Sequence, residues 1–401
     1  MKSKWLVLFL IWLMMLVAYF DRINISQASS AIMASLHLNK AQWGFVLAAF
    51  TLGYAVMQAP GGHLADRLGS RRLLIAAIVV WSLFTGLTGL ASSLVLLIGI
   101  RFVFGVGEGL ENGAQFKLVG ENFSPKERSF ANSIFLSALA LGPAIGTPLA
   151  TWQVVAFGWR AMFGIFAALG LVVGVVLLVL LPGESKEKPA SSVQKEREAE
   201  SRESFALAIR KPTSWLCAAG YMLFNVAFWG FLSWVPNYLR DDRHIPLAKS
   251  GLIGSLPYFA GVAGMAVAGY LGSSLFSSRR PMLVAACLVG TSAGLMVALT
   301  ADQTATCIVG LCIAGFFLYG VFGPFWAIAI DLAPPSARGV FTGSVNCCGQ
   351  IGAFCSQIII GILANQMKSF TGAILFMVAA LMLGALVMGT LEQAQHPATE
   401  S

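Results

Sequence analysis

The stretch GGHLADRLGSRR, residues 61–72, lies between two long apolar segments and packs three glycines, one acid and three arginines into twelve positions. Gly62 and Gly69 permit a tight turn and close helix approach, because glycine has no Cβ to clash. A worn copy, AGYLGSSLFSSRR, stands at 268–280. Gly62 and Leu64 match Gly269 and Leu271, and Arg71-Arg72 match Arg279-Arg280 with one extra residue between. Asp66 has become Ser273. The chain thus reads as two copies of one unit.

Composition places those copies in a membrane. The chain has 57% hydrophobic residues, 11% charged residues and a mean hydropathy of +0.77. Soluble domains carry about 25% charged residues, so these charges are too few to coat a water-facing surface. Crossing about 30 Å of hydrocarbon takes about 20 apolar residues. Twelve such spans are expected, near 5–36, 41–60, 73–92, 95–118, 129–151, 160–182, 213–239, 249–271, 282–299, 304–331, 339–363 and 369–391. Strands with an alternating polar lumen are not in the pattern, which argues against a barrel. The expected fold is an all-α integral membrane protein with twelve transmembrane helices in two pseudo-symmetric six-helix bundles. The first bundle is expected over 1–182 and the second over 213–391. A mixed-charge cytoplasmic linker over 183–212 joins them, and a cytoplasmic tail fills 392–401. The first span is too long, and too charged at its end, for a cleavable signal peptide.

Lys and Arg set the orientation. With both termini cytoplasmic, eighteen of the 26 fall on the cytoplasmic side, six outside, and Arg22 and Arg101 inside spans. The net charge of +8 is therefore mostly a topology signal and not a nucleic-acid patch. The compact loops point to a bacterial inner membrane, and the chain is expected to act as a monomer.

Several functions drop out. The seven cysteines, from Cys217 to Cys355, show no ligand spacing, so neither disulfides nor a structural metal is expected. His37, His63, His244 and His396 are scattered outside the spans. No phosphate-binding loop or nucleophile motif appears, so an enzyme, a cofactor and nucleotide energy are not implied. Asn24-Ile25-Ser26 and Asn122-Phe123-Ser124 match a glycosylation pattern, but one is at membrane depth and the other is cytoplasmic.

The loop Gly62-x-Leu-Ala-Asp66-Arg67-x-Gly69-x-Arg71-Arg72, between spans two and three of twelve, resembles the signature of the major facilitator superfamily. The resemblance implies a latch on the cytoplasmic gate in the outward-open state, in which Asp66 meets a helix N-terminus of the other half. Further strings resemble the anion:cation symporters within it: YFDRINIS (19–26), RFVFGVGEG (101–109), FSPKERSFA (123–131), GPAIGTPL (142–149), FGWRAMF (157–163), WVPNYL (234–239) and GSVNCCGQIGAF (343–354). That group takes up sugar acids and other organic anions with protons.

The ionisable residues at membrane depth are Asp21, Arg22, Arg101, Glu108, Glu111 and, near a span end, Asp331. A charge at the bilayer centre costs at least about 2.5 kcal/mol, so such residues are functional candidates by default. Arg22 suits an anion anchor, since a guanidinium grips a carboxylate with two parallel hydrogen bonds and stays charged. Snorkelling to an outer edge is the plainer alternative, disfavoured by the Ala-rich continuation to Leu36. Asp21 and Arg22 point about 100° apart on a helix and need not neutralise each other. Arg101, Glu108 and Gln115 share a helix face, with Glu111 about 60° away. Arg101 is positioned to hold a carboxylate of its own half, as a coupling element or as a plain structural pair. Glu111 reads either as an extra titrating group or as a residue at the cytoplasmic mouth. The resemblance implies that Arg22 binds the substrate, that Asp21 and Glu108 couple protons, and that Tyr54 and Asn346 contact substrate. Gln58 lies one turn from Tyr54, and Gln350 one turn from Asn346. Tyr19, Asn225, Trp229 and Tyr319 are weaker candidates, since polar residues often serve only as glue between helices. Leu139 and Leu141 stand where the family often has a polar side chain, which makes the pocket more apolar.

The expected function is proton-coupled uptake of a small organic anion by alternating access. An exporter or antiporter of an anionic metabolite or drug fits the same charges. A transporter-like sensor is the third reading.

Overall fold

The computed structural model describes residues 4–124, 127–183, 200 and 202–395, apart from a few side chains, among them that of Asp66. Those residues are almost entirely helical, with no strand among them. The first half holds α1 (Lys4–Ser35), α2 (Lys40–Leu68), α3 (Ser70–Thr88), α4 (Leu94–Gly109), α5 (Glu111–Asn122) and α6 (Arg128–Leu180). The second half runs through helices Pro212–Asp241, Leu247–Ser273, Arg280–Thr300, Thr304–Gly320, Phe322–Leu332, Arg338–Met367 and Thr371–Gln395.

Among the described residues, nine helices are long and apolar enough to cross a membrane. The twelve expected spans map onto the helices once three features are seen. α6 carries two spans, broken at Gly158 (φ 80°). The fourth span divides at Leu110 into α4 and α5. Lys40–Leu68, which is not among the nine, ends in His63, Asp66 and Arg67. The weak boundary after the third span is real: Ser93 caps α4 by accepting a hydrogen bond from the Leu96 amide at 3.3 Å. Large apolar side chains such as Leu90, Val95, Leu252 and Leu386 lie exposed, the pattern of a protein solvated by lipid.

Two compact units emerge. The first comprises Met1–Glu184, Phe231–Phe259 and Gln357–Ala373, and the second comprises Ser185–Gly230, Ala260–Ser356 and Ile374–Ser401. In the first unit α1 is central, buried almost continuously from Val7 to Ser29, and it packs on α6. A helix surrounded on all sides shows no amphipathic stripe. α2 lies hard against α4: a Cβ on Gly53 would stand 2.1 Å from the Phe102 carbonyl oxygen, and one on Gly105 2.2 Å from that of Phe50. Only glycine permits this approach of α2 to α4.

At the end of the first unit expected to face outside, two segments from the second half of the chain join the first. Ser29 Oγ donates to Asn237 Oδ1 at 2.9 Å, and Lys40 Nζ meets Asp241 Oδ2 at 2.9 Å. A Cβ on Gly44 would stand 2.6 Å from the Gln357 carbonyl oxygen. In the second unit, Tyr221 stacks on Phe325 with centroids 4.6 Å apart, and Phe228 meets Phe322 edge-on.

Candidate functional site

The buried charged side chains among the described residues are Asp21, Arg22, Arg101, Glu108 and Glu111. All five lie in the first unit, on α1, α4 and the first position of α5. Asp331, the sixth candidate, is exposed and pairs with Arg280.

Arg22 sits at the centre. Its Nε donates to Glu108 Oε2 at 2.7 Å, and its terminal nitrogen lies 3.6 Å from Glu111 Oε1. The three side chains are 4%, 0% and 2% exposed. The guanidinium carbon lies 4.4 Å from the Tyr19 ring centre and 5.0 Å from that of Tyr54, so two aromatic faces flank the cation. Arg22 is thus an interior group, not a snorkelling one. Glu108 is held by α1 and not by Arg101 on its own helix, and its other oxygen, Oε1, has no hydrogen-bond partner. Glu111 lies deep in the cluster rather than at a mouth, and it accepts from Gln115 Nε2 at 3.2 Å.

Asp21 and Arg22 diverge as their helical spacing requires. Asp21 Oδ1 accepts from Asn24 at 3.0 Å, and the carboxylate faces Thr85 on α3 and the charge of Arg101. Arg101 lies over the rings of Phe104 (4.3 Å) and Phe50 (5.2 Å), with its Nε unpaired.

The neutral candidates divide. Tyr54 Oη accepts a hydrogen bond from Asn112. Gln58 is half-buried, and both its amide atoms lack partners. Leu139 is buried and Leu141 half-buried. Asn346 and Gln350 belong to the second unit; Asn346 is half-buried, and Gln350 is buried with Oε1 unpaired. Asn225, in that unit, donates its amide to the Tyr221 carbonyl one turn back in its own helix, at 2.8 Å. Trp229 and Tyr319 are buried there among aromatic rings.

Sequence reasoning passed over Asn24, Phe50, Thr85, Phe104 and Asn112. Asn112 had a signal, being a polar residue beside Glu111 at membrane depth. The two phenylalanines had none, since one phenylalanine in an apolar span looks like any other.

In the 61–72 stretch, Gly69 has φ 90° and ψ 142° and joins α2 to α3. Gly62 receives α5 closely: a Cβ on Gly113 would stand 2.8 Å from its Cα. Arg71 donates to the Leu178 carbonyl at 2.6 Å, capping the end of α6, while Arg67 is exposed. The Asp66 side chain lies outside the described residues.

Three comparisons bear on this arrangement. Residues 11–357 match the family described as Major Facilitator Superfamily. A hexuronate transporter of Bacillus subtilis (strain 168) is 28% identical, over 93% of this chain and 91% of its own. A "Probable sulfoacetate transporter" of Cupriavidus necator is 30% identical, over 97% and 94%. Among solved structures, a bacterial homolog of the human lysosomal transporter Spinster, inward-facing and unoccupied, superimposes with a TM-score of 0.81 at 18% identity, covering 98% of this chain and 97% of that one.

Proposed function

We propose that this chain, which belongs to the Major Facilitator Superfamily, takes up a small organic anion, a sugar acid or another carboxylate, together with protons. It is a multi-pass membrane transporter and not an enzyme. The relatives named for hexuronate and sulfoacetate transport support the substrate class.

The observation that carries the reading is the buried Arg22–Glu108 contact at 2.7 Å. A substrate carboxylate and Glu108 want the same guanidinium. An ionised Glu108 that lost its partner would be a naked charge at membrane depth, which costs several kcal/mol. Protonating Glu108 removes that cost and frees Arg22. Anion binding and proton binding therefore favour each other, which is the definition of coupling. Tyr19 and Tyr54 flank the guanidinium, and Gln58 offers an unspent amide. Asn346 and Gln350 are the proposed ligands from the second half. Asp21, beside Arg101, is the second proton carrier, releasing its proton as the helices exchange access.

In this reading the 61–72 stretch, through Gly62, Asp66, Arg67, Gly69 and Arg71, controls the cytoplasmic gate, and the two halves rock to alternate access. In this reading the termini are cytoplasmic, on the positive-inside bias, and the membrane is a bacterial inner membrane, on the compact loops. The test is thermal stabilisation of the purified protein by sugar acids, dicarboxylates, aromatic acids, amino acids and lipophilic cations, with Arg22→Ala in parallel. An anion that stabilises only the wild type is the expected result. Stabilisation by cations, unchanged in Arg22→Ala, would overturn the anion reading.

A further inference from the structure

Arg22 has two carboxylates, not one. Glu108 holds its Nε side and Glu111 approaches its terminal nitrogen at 3.6 Å. By count, three carboxyl groups and two guanidinium groups are buried among the described residues, so at least one carboxyl group has no guanidinium of its own. Glu111 is buried in the same cluster as Glu108, Arg22 and Tyr19. Its hydrogen bond from Gln115 is neutral and cannot replace a cation. When a substrate carboxylate takes the guanidinium, Glu111 loses its counter-charge in the same step as Glu108.

We propose, building on the symport reading, that Glu111 is a second proton-bearing counter-acid of Arg22, which adds one proton to those moved with each anion. The proton comes from water on the side where the anion enters, turning the Glu111 carboxylate into a carboxylic acid. It returns to water on the opposite side after the anion leaves and Arg22 recovers the carboxylate. No bond other than O–H is made or broken, and Glu108 cycles in parallel. A transporter of this kind carries more positive charge inward per anion than one lacking Glu111, so the membrane potential pulls it harder.

Two measurements test this. In proteoliposomes loaded with D-glucuronate, the gradient at which net flux stops, read at several imposed pH differences, gives protons per anion. Glu111→Gln is expected to read one proton fewer than the wild type. An unchanged ratio overturns the role of Glu111 while leaving symport intact; a wild-type ratio of zero overturns the symport reading itself. The second measurement needs no substrate. Arg22→Gln removes the guanidinium as an anion would occupy it, and infrared spectra at neutral pH count protonated carboxyl groups. Arg22→Gln is expected to gain acid carbonyl absorbance over the wild type, and Arg22→Gln/Glu111→Gln to lose a share of that gain. Identical spectra for the single and double variants overturn the proposal, whether or not glucuronate is carried.

Discussion

Arg22 makes its contacts through different edges of one planar group, and that geometry orders the effects of substitution. Arg22→Ala should lower uptake at least about tenfold, and more if a bidentate contact worth about 3 kcal/mol is lost. Radiolabelled uptake at saturating proton gradient reads this, and full activity would remove Arg22 from the site. Glu108→Gln should behave differently. A permanently neutral partner leaves Arg22 free for the anion but carries no proton of its own, so accumulation against a gradient falls while exchange across the membrane survives. Accumulation equal to the wild type would exclude Glu108 from coupling. Tyr54→Phe removes the acceptor of the Asn112 hydrogen bond and keeps the ring over Arg22. A loss of about fivefold in apparent affinity is expected, from a neutral hydrogen bond worth about 1 kcal/mol.

The elements depend on a few backbone positions. Gly69 holds φ 90° at the junction of α2 and α3, a region essentially reserved for glycine. Gly69→Ala should cost about 1–3 kcal/mol, read as a lower unfolding temperature in detergent. An unchanged melting curve would show that the junction relaxes freely. At this scale the sequence was most legible where hydropathy speaks. Every expected span has its helix, because twenty apolar residues in a row have little choice in lipid. All five buried charges were legible too, because each is an expensive exception inside an apolar run. What could not be read was who pairs with whom. Arg101 and Glu108 share a helix face, yet Glu108 is taken by Arg22, because the rotation of α1 against α4 decides it, and glycines 53 and 105 set the neighbouring α2–α4 spacing. The breaks at Leu110 and Val321 were hidden for a related reason: both residues keep near-helical backbone angles.

At the scale of the molecule, the end of the first unit is tied by Ser29–Asn237 and Lys40–Asp241. Both ties link segments about two hundred residues apart. Asp241 also receives two bonds from Arg240, at 2.9 and 2.7 Å, so one carboxylate gathers two cations. Asp241→Asn should loosen this end by about 1 kcal/mol or less, since the groups are partly exposed. A cysteine placed at Ser29 should then react several-fold faster with a water-soluble maleimide, above the background of the native cysteines. An unchanged rate would show that the apolar packing alone closes this end.

The burial of α1 also sets a problem for synthesis. Its two charges reach the translocon before Glu108, 86 residues beyond Arg22, has left the ribosome. Two charges near a helix centre cost about 5–7 kcal/mol on the insertion scale, while each Leu, Ile, Val or Phe returns about 0.3–0.6. The run from Trp5 to Phe20 brings the newborn helix close to break-even, which explains why it is so uniformly apolar. The nascent first helix is therefore expected to pause half-committed at the translocon until α4 arrives. Chains truncated before residue 101 should be cleared by membrane quality control, and chains reaching beyond Glu108 should persist.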